Sequence, residues 1–298
     1  MRPATAFTPT NSKLLQRNTL LRLLRRFVTV VAFAALSSTA AAQTGPMLTP
    51  SAFIPAPGHV SLDIFGQTIG EEPNYLSFAQ ANVMQLRTRV DGPVFRLTYV
   101  PSERAEFTAE FNSQTYAIRD PRYGKTISDF GDATLRAKLG LKKGEVSVSP
   151  AVAFQFEVTL PNTSFGNGLG PNTIRLDSGL LVGYKTEKLT VSGKAGISIQ
   201  DEPLRAHEQR DFISLSGALA YKVTDSIELF GDVGGYVGDG VPGAIARREA
   251  RAGLQYQRSM LGKETKLFIA GRRGLVDFQG TWGVVAGLSM TLRPGVTP

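Results

Sequence analysis

Few side chains in this 298-residue protein are equipped for chemistry, since it has two histidines and no cysteine. His207 lies in the stretch DEPLRAHEQR, with Glu208 beside it and Ser214 shortly after. A hydrolase of the triad type needs a nucleophilic Ser, a His to take its proton and an acid to orient that His. The residue types are present, but the stretch is polar and loop-like, and a solvated loop histidine is the favoured reading. His59 stands alone at the start of an alternating segment. Asp201 and Glu202 form an isolated carboxylate pair, the usual composition of a solvated loop end and not of a Ca²⁺ cage. Gly166-Asn167-Gly168-Leu169-Gly170 has the glycine spacing of a phosphate loop but no surrounding βαβ unit, and reads as an external loop. Two His without Cys give a transition metal little to bind. Neither an enzyme nor a metal or cofactor protein is expected, so function has to come from elements that arrange ordinary charged residues.

Those elements are strands. Val146–Leu160 reads VSVSPAVAFQFEVTL, with its bulky apolar residues on even positions and Ser, Ala, Gln, Glu and Thr on odd ones. A period of two means that one face meets an apolar medium and the other meets water or polar groups. The same pattern recurs over 59–66, 83–100, 105–113, 132–141, 174–184, 189–200, 212–221, 227–237, 247–257, 265–271 and 281–292. Asp91-Gly92-Pro93 interrupts the second of these segments. The apolar phase shifts across it from Met84, Leu86 and Val90 to Phe95, Leu97 and Tyr99, which predicts a bulge within one long strand. The count is then twelve, an even number as in bacterial barrels. Connections alternate between short ones (PSER, KKGE, KTEK, KVTDS) and longer Gly-, Asp- and Asn-rich ones. That asymmetry suits an up-and-down barrel with tight turns at one rim and long loops at the other. As one strand, Val146–Leu160 exceeds the roughly 9–11 residues needed for a tilted crossing, so one end is expected to project beyond the bilayer.

Residues 1–42 hold Arg2, Lys13, Arg17, Arg22, Arg25 and Arg26 and no acid, followed by FVTVVAFAAL and SSTAAA. This is the basic, apolar, small-residue order of a secretory signal, with cleavage expected between Ala42 and Gln43. Six of the eight net positive charges therefore reside in the leader; without it 27 Lys and Arg face 25 Asp and Glu. Nucleic acid is accordingly not an expected partner. The expected organisation is a signal peptide over 1–42, a periplasmic segment over 43–58, an all-β antiparallel transmembrane barrel over 59–292 and a tail over 293–298.

With the phase set from apolar positions alone, the strand charges fall on the opposite face. These are Asp63, Arg87, Arg89, Arg96, Glu106, Glu110, Asp132, Arg136, Lys138, Glu157, Arg175, Asp177, Lys194, Glu228, Asp232, Glu249, Arg251 and Lys266, joined by the polar Gln155. Lys or Arg on a lipid face costs about 2–4 kcal/mol near the midplane, so lipid would enforce such segregation. A soluble sandwich also alternates, but it places its charges outward. Aromatic placement favours the membrane: Tyr99, Tyr184, Tyr221 and Tyr256 each sit on the apolar face near a tight turn, the arrangement of an interfacial girdle.

The segments FGDATLRAKLGL and FQFEVTLPNTSFGNGLGPNTIRLDSGLLVGY resemble the outer-membrane barrel family labelled as part of the MetA pathway of phenol degradation. The shared pattern is a Gly-Asp opening a strand with an inward Lys, a strand ending in Leu-Pro, a Gly-rich loop and an Asp-bearing return strand. Here it falls on Gly131, Asp132, Lys138, Leu160, Pro161 and Asp177. Asn162-Thr163 replaces the family's usual Thr-Gly, and the chain ends LRPGVTP without the aromatic residue of the common assembly signal. The resemblance implies transport of small, in part aromatic, compounds across the outer membrane. From the residues themselves, the expectation is a barrel in outer-membrane lipid that passes small solutes without a cofactor. The alternatives are a plugged structural or surface-binding barrel and, third, a barrel enzyme acting on envelope lipid. A wall balanced between acids and bases should discriminate weakly between anions and cations.

Overall fold

The computed structural model describes residues 48–73, 86–118, 125–162, 173–201, 209–237, 248–260, 263–275 and 282–294. They form antiparallel strands β1 (Val60–Pro73), β2 (Leu86–Ser102), β3 (Ala105–Ile118), β4 (Lys125–Phe130), β5 (Ala133–Lys142), β6 (Ala151–Leu160), β7 (Arg175–Lys185), β8 (Leu189–Asp201), β9 (Gln209–Lys222), β10 (Ile227–Val237), β11 (Arg248–Met260), β12 (Lys263–Gly274) and β13 (Trp282–Arg293). Strands β4 and β5 both pair with β3 and are two halves of one crossing, parted at Gly131-Asp132. Every other strand pairs with its sequence neighbours, and β1 pairs with β13, so twelve crossings close into a barrel. Because twelve is even, both barrel ends meet at the short-turn rim, where Val60 lies opposite Arg293.

The alternation is realised as a two-faced wall. Along β6, Ala151, Ala153, Gln155 and Thr159 are buried inward, while Phe154, Phe156 and Leu160 are exposed outward. Leu135, Leu180, Val182, Leu219, Leu229, Leu254 and Ile269 continue this exposed apolar belt around the barrel. Such a surface is stable only against hydrocarbon. The shift at Asp91-Gly92-Pro93 is the expected bulge: the pairing with β3 slips between Asp91 and Val94, and β2 continues unbroken.

Two expectations are corrected. Val146–Leu160 is not one strand: β6 begins at Ala151, and residues 145–149 form a turn closed by Ser149 N donating to Glu145 O at 3.1 Å. Ser147 has φ near 60°, and Pro150 lacks an amide for the ladder, so the β6 ladder does not continue through this turn, which keeps one bond to β7, from Ser147 N to Lys185 O at 2.7 Å. Val146 and Val148 carry the alternation into a solvent-exposed turn, and the ten-residue β6 has the length of an ordinary crossing. At the long-loop rim, by contrast, strands outrun their apolar pattern. β1 extends to Pro73, β3 to Ile118, and β4 occupies what reads as loop. Beyond the hydrocarbon the outer face need not be oily; Thr115 and Ser128 hydrogen-bond there at 3.0 Å across β3 and β4.

Before β1, residues 48–58 turn into the barrel from the short-turn rim. Gly58 N donates to Val100 O at 2.7 Å and Val100 N to His59 O at 3.0 Å. Ala52, 3% exposed, packs with Ala151, Ala153 and Leu181 of the inner wall.

Candidate functional site

Among the described residues, the lumen is where the fold gathers charged side chains in quantity. Across β1, β2, β3, β5, β6 and β7 runs a ladder of alternating sign. Arg96 Nε donates to Glu110 at 2.8 Å, and another Arg96 nitrogen lies 3.7 Å from Asp63. Arg136 spans the next gap, donating to Glu110 at 3.2 Å and to Glu157 at 2.6 Å. Arg175 then approaches Glu157 at 3.5 Å and donates to Thr159 at 3.0 Å. The register explains the chain of contacts, since Asp63 opposes Arg96, Arg96 opposes Glu110, and Arg136 opposes Glu157. Opposite charges at facing positions of adjacent strands are nearest neighbours. Lys138–Glu106 at 2.7 Å and Lys194–Asp177 add further rungs.

The other sequence-expected lumen residues whose side chains are described also lie on the inner face. Arg89 pairs with Asp91 and lies over the Tyr116 ring at 5.7 Å. Glu249 joins Arg251 at 2.5 Å and also Arg272. Glu228 accepts from Gln255 Nε2 at 2.6 Å, Asp132 accepts from Asn162 N at 2.9 Å, and Lys266 is buried. Asp232 accepts from Leu48 N at 2.5 Å. Gln155 is buried in the wall at 1% exposure. Arg87 lies in β2, but its side chain is outside the described residues, as are Ala42, Gln43, Glu202, His207, Glu208 and the Gly166–Gly170 loop. Asp201 closes β8, its side chain likewise undescribed. Ser214 is buried on the inner face of β9. His59 is buried at the rim; desolvation lowers its pKa, opposed by Glu106 and Asp63. Among the described residues no three His, Asp or Glu side chains converge as a metal cage. Tyr99, Tyr184, Tyr221 and Tyr256 are all exposed on the outer surface close to the short-turn rim.

Three parts of the lumen escape sequence reasoning. Glu264 and Arg272 are inward on β12 beyond the limits expected for that strand. An inner apolar zone of Phe65, Val94, Phe230, Phe268, Ala270 and Val285 faces away from lipid. Phe65 and Phe268 both oppose Gly287, and their rings lie 6.3 Å apart at 60°. A Cβ on Gly287 would come within 2.4 Å of Ile64 O and Phe65 Cβ, so glycine is what lets the rings close over β13. The Arg96 guanidinium, 5.2 Å over the Phe65 ring, joins the ionic and apolar zones. The third part is the N-terminal segment: Leu48, Thr49, Pro50 and Ser51 face Arg96, Arg136 and other ladder residues across a cavity of about 120 Å³.

Comparison with known proteins assigns this architecture. The family model described as "Putative MetA-pathway of phenol degradation" matches residues 67–282. The chain belongs to this family. No curated protein matches it. Among solved structures, the COG4313 outer membrane channel from Pseudomonas putida F1 superposes with a TM-score of 0.60 at 15% identity, covering 85% of this chain and 100% of that one. The KdgM porin in complex with disordered oligogalacturonate gives 0.47 at 11% identity, covering 78% and 99%. The toluene transporter TodX of P. putida gives 0.37 at 11% identity, covering 88% and 97%. The family member described here thus has the fold of an outer-membrane barrel.

Proposed function

We propose that this family member is a passive outer-membrane channel for small solutes, exported by its 1–42 signal with cleavage between Ala42 and Gln43. The observation that carries the reading is the divided lumen. An ionic ladder on β1–β7 faces polar groups of a solute, and the Phe65–Phe268–Phe230 zone takes its apolar part. Outside, Tyr99, Tyr184, Tyr221 and Tyr256 mark the periplasmic interface with lipid. Phenol-like compounds, the class that the family description suggests, combine the two characters. Transport of this kind needs no cofactor. Because each strong charge of the ladder is matched by its opposite, conductance should discriminate little between anions and cations. Single-channel recording of the refolded barrel, with liposome swelling in phenol-sized and in sugar-sized solutes, tests the reading. Absence of both conductance and swelling from a heat-modifiable, folded barrel would refute it.

A plugged structural barrel is the second reading, favoured by the inward burial of Phe65, Phe230 and Phe268, each at most 5% exposed. It requires those same recordings to be silent.

A further inference from the structure

At the long-loop rim, two arginines point to the outer face of the barrel. Exposed apolar side chains set the outward positions there: Leu254 on β11, Ile269 on β12, and Trp282 and Val284 on β13. Counting by twos from them puts Arg248 and Arg273 outward as well, and both are exposed. The register brings them together. Arg273 opposes Ala250 on β11 and Trp282 on β13, and Arg248 lies two residues before Ala250 on that same face. Diagonal positions of a strand pair are within reach of side chains as long as arginine.

Their height is set by the girdle at the other rim. Arg248 stands eight positions along β11 from Tyr256. At about 3.4 Å per residue and a tilt near 40°, it lies roughly 21 Å above that tyrosine, close to the outer edge of an apolar band about 25 Å tall. The tight turns mark the periplasmic rim, so this edge belongs to the outer leaflet. Arginines at such a level extend their charged ends toward the headgroups.

The pair is arranged for an anion. Arg273 Cζ lies 4.6 Å over the Trp282 ring, which occupies the face of the guanidinium and leaves its N–H edge, the part that matches a phosphate, to other partners. Arg248 is held by Nε donating to Tyr236 O at 3.1 Å. Among the described residues, the outward positions of β10 to β13 carry no Asp or Glu. Two neighbouring guanidiniums repel each other, and a phosphate between them reverses that sign. Below them, Ala250, Ala252 and Gly271 form a shallow strip between Val233 on β10 and Val284 on β13, which are 50% and 48% exposed.

We propose that Arg248, Arg273 and Trp282 form a docking site for a phosphorylated, acylated glycolipid of the outer leaflet, of the lipid A type. The guanidiniums take a sugar phosphate, Trp282 sits where carbohydrate meets hydrocarbon, and an acyl chain lies along the Ala250–Ala252–Gly271 strip. A lipid fits this place better than a soluble anion, because hydrocarbon-facing side chains continue directly below the charges. The site is on the outer wall, so it holds whether or not the lumen conducts.

Trp282 is the chain's one tryptophan, so its emission reports on the site directly. The barrel in neutral detergent micelles is titrated with lipid A carrying its sugar phosphates, with the same lipid after phosphate removal, with phosphatidylglycerol and with inorganic phosphate. The expected result is a saturable emission shift with phosphorylated lipid A, which the Arg248→Gln/Arg273→Gln variant reaches only at about tenfold higher lipid. Arg258→Gln, which removes an exposed outward arginine at the opposite rim, should leave the titration unchanged. Equal responses of the unaltered barrel to phosphorylated and dephosphorylated lipid A overturn the proposal, whether or not the double variant folds. A double variant that is heat-modifiable and titrates like the unaltered barrel overturns it too. A response to inorganic phosphate or to phosphatidylglycerol as strong as that to lipid A overturns the glycolipid assignment.

Discussion

Replacing Arg136 by Met removes the central rung of the ladder while keeping most of its aliphatic volume. Two charge-assisted hydrogen bonds are lost, to Glu110 at 3.2 Å and to Glu157 at 2.6 Å. Each is worth about 1.5–3 kcal/mol where water is excluded. Here the Arg136 side chain is 22% exposed and that of Glu157 12%, so lumen water screens part of this. Neither carboxylate is left alone, because Arg96 still holds Glu110 and Arg175 still approaches Glu157. The net expectation is about 2–3 kcal/mol of destabilisation, well below the sum of two fully buried bonds. The assay is urea unfolding of the barrel refolded into lipid vesicles, followed by the fluorescence of Trp282, the chain's one tryptophan. Adding Glu157→Gln to Arg136→Met should show a coupling of about 1 kcal/mol. Lys143→Met is the control, since Lys143 and Glu103 are 83% and 48% exposed at 3.5 Å and such a pair contributes about 0–1 kcal/mol. If Arg136→Met is no more harmful than Lys143→Met, the ladder is not a structural element of the lumen.

Phe156→Lys puts an ammonium on the outer face in mid-strand and should cost about 2–4 kcal/mol in the same unfolding assay. Indifference to that substitution would mean lipid does not wet this face. Gly287→Ala drives a methyl into Ile64 O and Phe65 and is expected to destabilise by about 1–3 kcal/mol, against a near-neutral Gly271→Ala, where the nearest atom is 4.0 Å away. Burial lowers the His59 pKa below its ordinary 6.5, so the unfolded chain takes up a proton before the folded one does. Stability should therefore be full above about pH 6.5 and fall as the pH drops through that value toward the folded pKa. His59→Gln should flatten the slope between pH 7.5 and 5.5, and an unchanged slope would exclude His59 as its source.

The twelve crossings were legible because hydrocarbon imposes a period of two on every residue it touches, and the bulge at Gly92 was legible because it shifts that period. Where the medium changes, the signal changes meaning. Val146 and Val148 keep the alternation in a turn that water surrounds, and Ser113–Tyr116 lack an apolar face although they are paired. Glu264 and Arg272 were missed for the same reason, since they lie where strand ends are set by pairing and not by lipid. The inward glycines and alanines at 140, 151, 153 and 183 did carry a trace of the N-terminal segment that packs against them. A run of small residues on a charged face is unusual in an open lumen and marks a place where something else packs.

Alternation alone determined which side chains face lipid and which face inward, because a strand offers only two faces and a charge tolerates only one of them. Which inward charges meet was decided by tertiary structure: Arg136 lies between Glu110 and Glu157 only because three successive crossings align in this register. The same holds for Leu48 and Asp232, 184 residues apart, whose contact depends on ring closure. Local periodicity reports the medium around a strand, whereas partnership across a lumen depends on register and closure, which belong to the assembled ring.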